Sequence, residues 1–488
     1  MRSEFFKLLL FLSALLFSCK TPEERKKEKI MKDLNMIYQQ VQTGFTGYKD
    51  LEECCRTIGH RLTGSPNGKK AEEFVYQKLL NYGLQVRYEP FSVDAWNRNK
   101  VFLTYSDGKF VDTIPCVAHA FTPIVADVVA PIADVGNGLA SDFDSVNVNG
   151  KIVLMNLYLG KNDSALKNLH RSEKATLALN HGAAGIIFIN KPEGDVLLTG
   201  TVSLKGKVID IPAVCISVEK GRLLRFHLKE NVNLKTHIFM ENTLEKATAR
   251  NVIASIRGSK YPHQKIMIGA HLDSWDLATG AIDNGIGAFT VVDIARAIKN
   301  SGVTPEHTLE FALWMGEEFG LLGSTFHVSE LNKNNSTDST LYYYNLDMTG
   351  NPIGFELEGR LEMEEVFKRY SDFIRGHRPD FEGKITSDIN LHSDHLPFAL
   401  YGIPVLQFTG NLDKEVFKYY HSNKDLIDLV NADHLRKTSE IVSLTLYLLD
   451  QEDSLKAKRL TDTQVKESFE KGGLKEEMIL SGDWKWEK

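Results

Sequence analysis

The sequence predicts an α/β fold: a mostly parallel or mixed sheet flanked by helices, with a smaller α/β domain inserted into it. Three observations predict this. From Asn251 onward, short apolar runs alternate with helical patterns, as in a sheet covered on both faces. Residues 108–247 break that rhythm with short strand-like runs and a glycine-rich helix end. The chain has 488 residues, which at roughly 150 residues per domain makes two or three domains. Hydrophobic residues at 42% and charged residues at 25% are globular usage and argue against global disorder or a coiled coil. The formal charge of −6 lacks the basic excess of a nucleic-acid binder, so no nucleic-acid partner is expected.

The elements follow in chain order. Arg2 and Lys7 accompany an apolar run, Leu8 to Phe17, that is too short to span a bilayer and suits a signal-peptide core. Residues 1–18 are read as that signal. Leu16-Phe17-Ser18-Cys19 resembles a bacterial lipobox. The resemblance implies a lipidated Cys19, a membrane anchor and a place in the cell envelope. Lys20 in place of Asp favours the outer membrane or periplasm; the alternative is a plain secretory signal and a secreted protein. The mixed charges from Lys20 to about Asp33 read as a solvated tether, and a helix is expected from about Glu28 to Val41, so that residues 19–45 are tether and first helix.

The turn-rich segment Gly59 to Gly68 precedes a helical pattern, Lys69 to Tyr82, which Gly83 ends. Arg61 in that turn reads as structural. Leu84 to Phe91 alternates as a strand. Inside residues 108–247, strands are expected at Phe121–Val129, Ile152–Leu157, Gly185–Asn190 and Ile211–Ile216, with a helix from Ala175 to Asn180. No catalytic cluster is visible there.

Beyond Asn251, strands are expected at Val252–Ile256, Lys265–Ala270, Thr308–Met315, Tyr342–Leu346, Gly354–Leu357 and Val405–Phe408. Helices are expected within Asp283–Ala297, after Gly320 and from Ala432 to Leu449. The polar tail, residues 451–488, carries no assigned role. Of five cysteines, Cys54 and Cys55 are adjacent, which is poor zinc-ribbon spacing, and buried thiols are preferred over disulfides.

Chemistry concentrates in five segments: Gly269 to Asp276, Ala281 to Ala288, Trp314 to Gly320, Tyr344 to Gly350, and Tyr420 to Asp425. The first, third and fourth place His, Asp or Glu where an apolar strand runs out, the position at which open α/β sheets bind ligands. Taken singly, Asp283 reads as a helix cap and Glu317-Glu318 as helix N-terminal acids. Five together are another matter, because clustered carboxylates repel unless a cation compensates. Two His and three carboxylates suit zinc.

These five segments resemble, in order, the metal motifs of the family-28 zinc metallopeptidases, the co-catalytic aminopeptidases. The His271-Leu272-Asp273-Ser274-Trp275-Asp276 form and the Gly280-Ala281-Ile282-Asp283 stretch are most similar to the plasma glutamate carboxypeptidase branch. The resemblance covers residues 46–107 plus 248–450 as a discontinuous catalytic domain, and residues 108–247 resemble a protease-associated domain. It implies two Zn²⁺ per chain. Asp283 would bridge them, His271 and Glu318 would complete one site, and Asp347 and His421 the other. Asp273 would orient a ligand, and Glu317 would act as general base on a zinc-activated water. His392 to Phe398 also resembles a family segment; Asp394 and His395 are the candidates there for contact with substrate or for support behind the ligands, against a reading in which Ser393 or Asp394 merely caps a short helix.

The implied activity is exopeptidase action on small peptides outside the cytoplasm, as an aminopeptidase or dipeptidase. The insert is expected either to restrict access or to pair two copies into a homodimer. Two rivals stay open: a single-zinc glutaminyl cyclase-like transferase, and a non-catalytic peptide-binding protein on the same scaffold.

Overall fold

The computed structural model describes residues 20–486 apart from 161–165, 204–205 and 231–233. The signal segment and Cys19 lie outside the described residues. The chain opens with α1 (Pro22–Gly44), α2 (Gly47–Thr57) and α3 (Pro66–Asn81). The expected tether is therefore mostly helix. Thr21 accepts from the Glu24 N–H while Glu24 reaches back to the Thr21 N–H, a capping box that starts α1 at Pro22. Asp33, Leu34, Ile37 and Val41 are buried on one side of it.

The strand expected at Leu84 to Phe91 continues much further. β1 (Gln85–Ser106) runs antiparallel to β8 (Lys235–Ile256) along its whole length. The insert hangs between these arms: β2 (Val111–Thr113), β3 (Val117–Ala118), β4 (Val125–Asp134), α4 (Ala140–Ser145), β5 (Ile152–Asn156), α5 (Arg171–Asn180), β6 (Gly185–Ile189), β7 (Ala213–Ile216) and α6 (Val218–Glu230). The expected boundary at 247/248 falls inside β8, so the chain passes between domains without leaving the sheet. The strand expected from Phe121 begins only at Val125, because Phe121 has a left-handed backbone (φ 62°) that ends extended pairing.

The remaining elements are β9 (Tyr261–His271), α7 (Ile286–Ser301), β10 (His307–Trp314), α8 (Leu322–Lys333), β11 (Thr340–Asn345), β12 (Gly354–Glu356), α9 (Glu364–His377), β13 (Lys384–Thr386), α10 (His395–Leu400), β14 (Val405–Thr409), α11 (Lys414–Phe417), α12 (Ala432–Asp450), α13 (Asp462–Lys471) and α14 (Lys475–Ser481). The path of the sheet is β13-β12-β14-β11-β9-β10-β8-β4-β5-β6-β7-β3, with β1 beside β8 and β2 beside β1. β10, β9, β11 and β14 are mutually parallel, whereas β8 and β12 are antiparallel to their neighbours β10 and β14. The sheet is thus mixed.

Alternation along the central strands builds two cores. Ile266, Ile268 and Ala270 of β9 face the layer of α1, α2, α7 and α12, while Met267 faces Val328 of α8 and Phe398 of α10. The tail packs too: Val465, Phe469, Met478 and Trp484 form a small apolar cluster with Leu391 and Leu396. Among the described residues no helix is long and apolar enough to cross a membrane, and Cys54, Cys55, Cys116 and Cys215 are free thiols.

Candidate metal centre

β9, β10 and β11 end at the same edge of the sheet. Past their ends come His271, the turn bearing Glu317 and Glu318, and the loop bearing Asp347. Asp283 arrives from the loop before α7, and His421 from the loop after α11. Asp283 does not cap its helix. Its Oδ1 lies 3.2 Å from His271 Nε2 and its Oδ2 lies 2.9 Å from His421 Nε2. His271 Nε2 is 3.5 Å from Asp347 Oδ1, and His421 Nε2 is 2.9 Å from Glu318 Oε2.

Two donor sets result: His271, Asp283 and Asp347, and Asp283, Glu318 and His421. All five expected ligands come together, and Asp283 is shared. The expected partition is corrected, however. The geometry pairs His271 with Asp347 and Glu318 with His421, because the β9 and β11 ends are adjacent whereas Glu318 turns towards the α11 loop.

The donors fit a divalent cation. Asp283 Oδ2, Glu318 Oε1 and His421 Nδ1 are buried without a hydrogen-bond partner. Oδ2 thus sits 2.9 Å from an imidazole nitrogen in an orientation that makes no hydrogen bond, as lone pairs converging on one ion do. Nitrogen and carboxylate donors in threes leave open positions of the kind zinc enzymes use.

A supporting layer fixes each donor. His271 Nδ1 donates to the Asp273 carbonyl at 3.1 Å, which leaves Nε2 facing the cluster. The Asp273 carboxylate accepts from the Thr63 hydroxyl at 2.8 Å and from the N–H groups of Glu317 and Glu318 at 3.3 and 3.4 Å. Ser393 donates to Asp347 Oδ2 at 2.7 Å and accepts from Asn345 Nδ2. Asp425 accepts from the N–H groups of Ile282 and Asp283 at 2.7 and 3.0 Å. Asn284 binds the Leu346 carbonyl and the Met348 N–H, tying the Asp283 and Asp347 loops together. Only glycine fits at 287, where a Cβ would lie 2.2 Å from that carbonyl. Arg61 is fully buried and donates to the carbonyls of Leu272, Thr279 and Gly280.

The electrostatics follow from this crowding. Burial pushes the Glu317 carboxyl well above its usual range; His271 opposes the shift, and Glu318, Asp347 and Asp394 add to it. Burial also raises Glu318. Asp283 is held low despite its burial, by the imidazoles of His271 and His421 beside it. Burial acts to lower both imidazoles, but the acids around them carry His271 well up and His421 up.

Glu317, its carboxylate 4.0 Å from His271 Nε2, lines a cavity of about 500 Å³ together with Asp283, Asp347 and His421. His395 lines the same cavity, and its Nε2 contacts the Asn390 carbonyl at 2.9 Å. Asp394 does not reach it. It is fully buried, accepts from Ser324, and is raised to about 7 mainly by burial. Of the two roles expected for Asp394, contact with substrate or support behind the site, its burial and its bond to Ser324 fit the second. Asp394 stands at the N-cap of α10 but makes no capping bond through its side chain, and the Ser393 hydroxyl is engaged with Asp347 and Asn345.

Sequence reading missed Ser393, Asp425 and Thr63 as supports, and it missed the insert's contact altogether. Thr199 donates its N–H to the His421 carbonyl at 3.0 Å, and Leu197 and Asn423 exchange two further hydrogen bonds. Arg98 binds both Asp276 oxygens, the Thr199 hydroxyl and the Ala118 carbonyl, joining the β1 arm, the insert and the loop after β9.

Comparison with known proteins follows this geometry. Residues 251–446 match peptidase family M28, and residues 121–224 match the PA domain. Carboxypeptidase Q of Homo sapiens is 27% identical over 429 residues, covering 84% of this chain and 86% of that protein. Aminopeptidase YwaD of Bacillus subtilis is 27% identical over 408 residues, covering 82% and 83%. In fold, the chain resembles a peptidase M28 precursor from Shewanella amazonensis (TM-score 0.77, 23% identity, 89% of this chain and 99% of that one). It also resembles a zinc aminopeptidase from Bacillus subtilis (TM-score 0.65, 22% identity, 85% and 97%).

Proposed function

We propose that this chain, in which residues 251–446 match peptidase family M28 and residues 121–224 the PA domain, is a two-zinc exopeptidase acting on small peptides outside the cytoplasm. The observation that carries the reading is the single carboxylate of Asp283, whose two oxygens face two separate donor sets. Zinc held there would polarise a scissile carbonyl and acidify a water. His271, Asp283 and Asp347 would hold one ion, and Asp283, Glu318 and His421 the other.

Glu317 is the base in this reading. It stands beside the donors, belongs to neither set and faces the cavity. Its raised proton affinity suits a group that takes a proton from water and later returns it to the leaving amine. The Asp273 carboxylate acts on geometry, because it holds the backbone of Glu317 and Glu318 together.

Cleavage of dipeptides or of N-terminal residues is supported by the relatives' names, carboxypeptidase Q and aminopeptidase. Anchorage through Cys19 in the cell envelope is proposed from the lipobox-like start alone. The test is hydrolysis by zinc-loaded protein of free dipeptides and tripeptides and their N-acetylated forms. Release from free peptides only is the expected result; internal cleavage of blocked peptides, or cyclisation of N-terminal glutamine without cleavage, would refute it.

A further inference from the structure

The cavity lined by Asp283 and Asp347 also takes in residues of β14 and Glu356 of β12. Asn345 of β11 pairs in register with Gln407 of β14, and Gln407 pairs with Glu356 of β12. Paired residues of neighbouring strands put their side chains on one face, at ~4.8 Å per strand. Glu356 therefore lies two strand spacings, ~10 Å, from Asn345, and Asn345 is joined to Asp347 through Ser393.

Glu356 differs from the acid next to it. Glu358 is saturated: it accepts from Gln407 Nε2 at 2.6 Å and from the side chain and N–H of Asn390, each at 2.8 Å. Glu356 Oε1 is buried with no hydrogen-bond partner. Burial raises the Glu356 carboxyl to about 7; the Thr386 hydroxyl opposes this, and Glu358 and Asp388 add to it. Among the described residues no Lys or Arg lines the cavity. A carboxylate so placed lacks its counter-ion, and burying one is costly unless it is paired. The cavity walls also include Met348, Leu412 and Phe417, which suit the methylene stem of a long side chain.

We propose that Glu356 is the specificity-determining residue of the substrate side-chain pocket and selects peptides whose N-terminal residue is lysine or arginine. The inference rests on the exopeptidase reading above. The distance to Glu356 matches the reach of an extended basic side chain, whereas the substrate's α-amino group must stay beside the scissile bond at the other end of the cavity.

The experiment compares wild-type protein with Glu356→Gln and Glu356→Asp, all zinc-loaded. One arm measures kcat/KM for Lys-Ala, Arg-Ala and Leu-Ala. The other measures calorimetric Kd for L-lysinamide and L-leucinamide. A charge-assisted contact predicts a Lys/Leu ratio of ~10 or more in the wild type. Glu356→Gln should collapse that ratio, and Glu356→Asp should retain part of it. A ratio that Glu356→Gln leaves unchanged, in either arm, overturns the proposal. Equal loss for lysine and leucine also overturns it, because it would assign Glu356 to the α-amino group or to the strand. If no dipeptide is cleaved, the exopeptidase reading fails, while the binding ratio still decides the role of Glu356.

Discussion

The backbone N–H of Thr199, in the insert, is bonded to the carbonyl of His421, in the metal-site loop, at 3.0 Å. His421 has a left-handed backbone (φ 54°) that a non-glycine residue adopts only when its surroundings hold it. The insert is thus a brace for one ligand rather than only a wall. Asn423→Ala, which removes the acceptor for the Leu197 N–H, should weaken zinc binding ~10-fold, as loss of outer-layer support does elsewhere. Asn423→Asp should restore it. Competition with a chelator measures this, and unchanged affinity in the Ala variant would refute the brace.

Asp283 as the shared ligand makes a stoichiometric prediction. Metal analysis should find two zinc ions per wild-type chain. Asp283→Asn should lose both, while His421→Ala should keep the ion at His271 and Asp347. One ion in the wild type would favour the cyclase-like alternative.

Glu317→Gln keeps the shape of the side chain and removes the base. Zinc content should be unchanged and kcat should fall ~10²- to 10⁴-fold. Near-normal turnover would sink the assignment.

Zinc should also stabilise the fold. Asp283 and Glu318 are buried beside Asp347, and stripping the metal leaves their charges uncompensated. At zinc 100-fold above its Kd, the gain is ~2.7 kcal/mol, read as a rise in the thermal midpoint. No rise on adding zinc would argue against metal at this centre.

In the insert, Lys174 is lowered to about 8, chiefly by burial, with Asp142 and Glu173 opposing. Its ammonium donates to the carbonyls of Asn156 and Leu157. A lysine depressed in the folded state binds its proton more tightly when unfolded. Stability should therefore rise as pH climbs from about 8 towards the ordinary lysine value near 10.5. Lys174→Met should remove that increment. Denaturation midpoints of the two proteins at pH 7.5 and 9.5 give the comparison, and parallel pH profiles would contradict it.

What was legible in the sequence was local. The runs ending at Ala270, Met315 and Leu346 show as strands because they are apolar and short; His271, Glu318 and Asp347 stand just past them, Asp283 stands at a glycine-rich turn, and His421 has no such marker. The pairing of His271 with Asp347 depends on strand order in the sheet, which no local pattern encodes. Asp425 carries no local mark of its role, and only the fold brings it under Ile282 and Asp283. The start of α1 was readable in principle, since Thr21-Pro22-Glu23-Glu24 is a capping-box signature that the charge mixture obscured.

The paired arms β1 and β8 also set an order of assembly. Gln85 meets Ser255 at one end and Ser106 meets Lys235 at the other, so the arms form a hairpin whose turn is a whole domain. As the chain is synthesised, β1 has only the short strand β2 to pair with until everything through β8 has been made. Closing so long a loop at random is slow. Once the insert has folded, it holds Ser106 and Lys235 side by side, and the remaining pairs can zip outward one neighbour at a time. The last pairs to form lie beside the start of β10, at the end of the sheet away from the metal edge. The inserted domain is then the nucleus from which the enzyme's own sheet is completed.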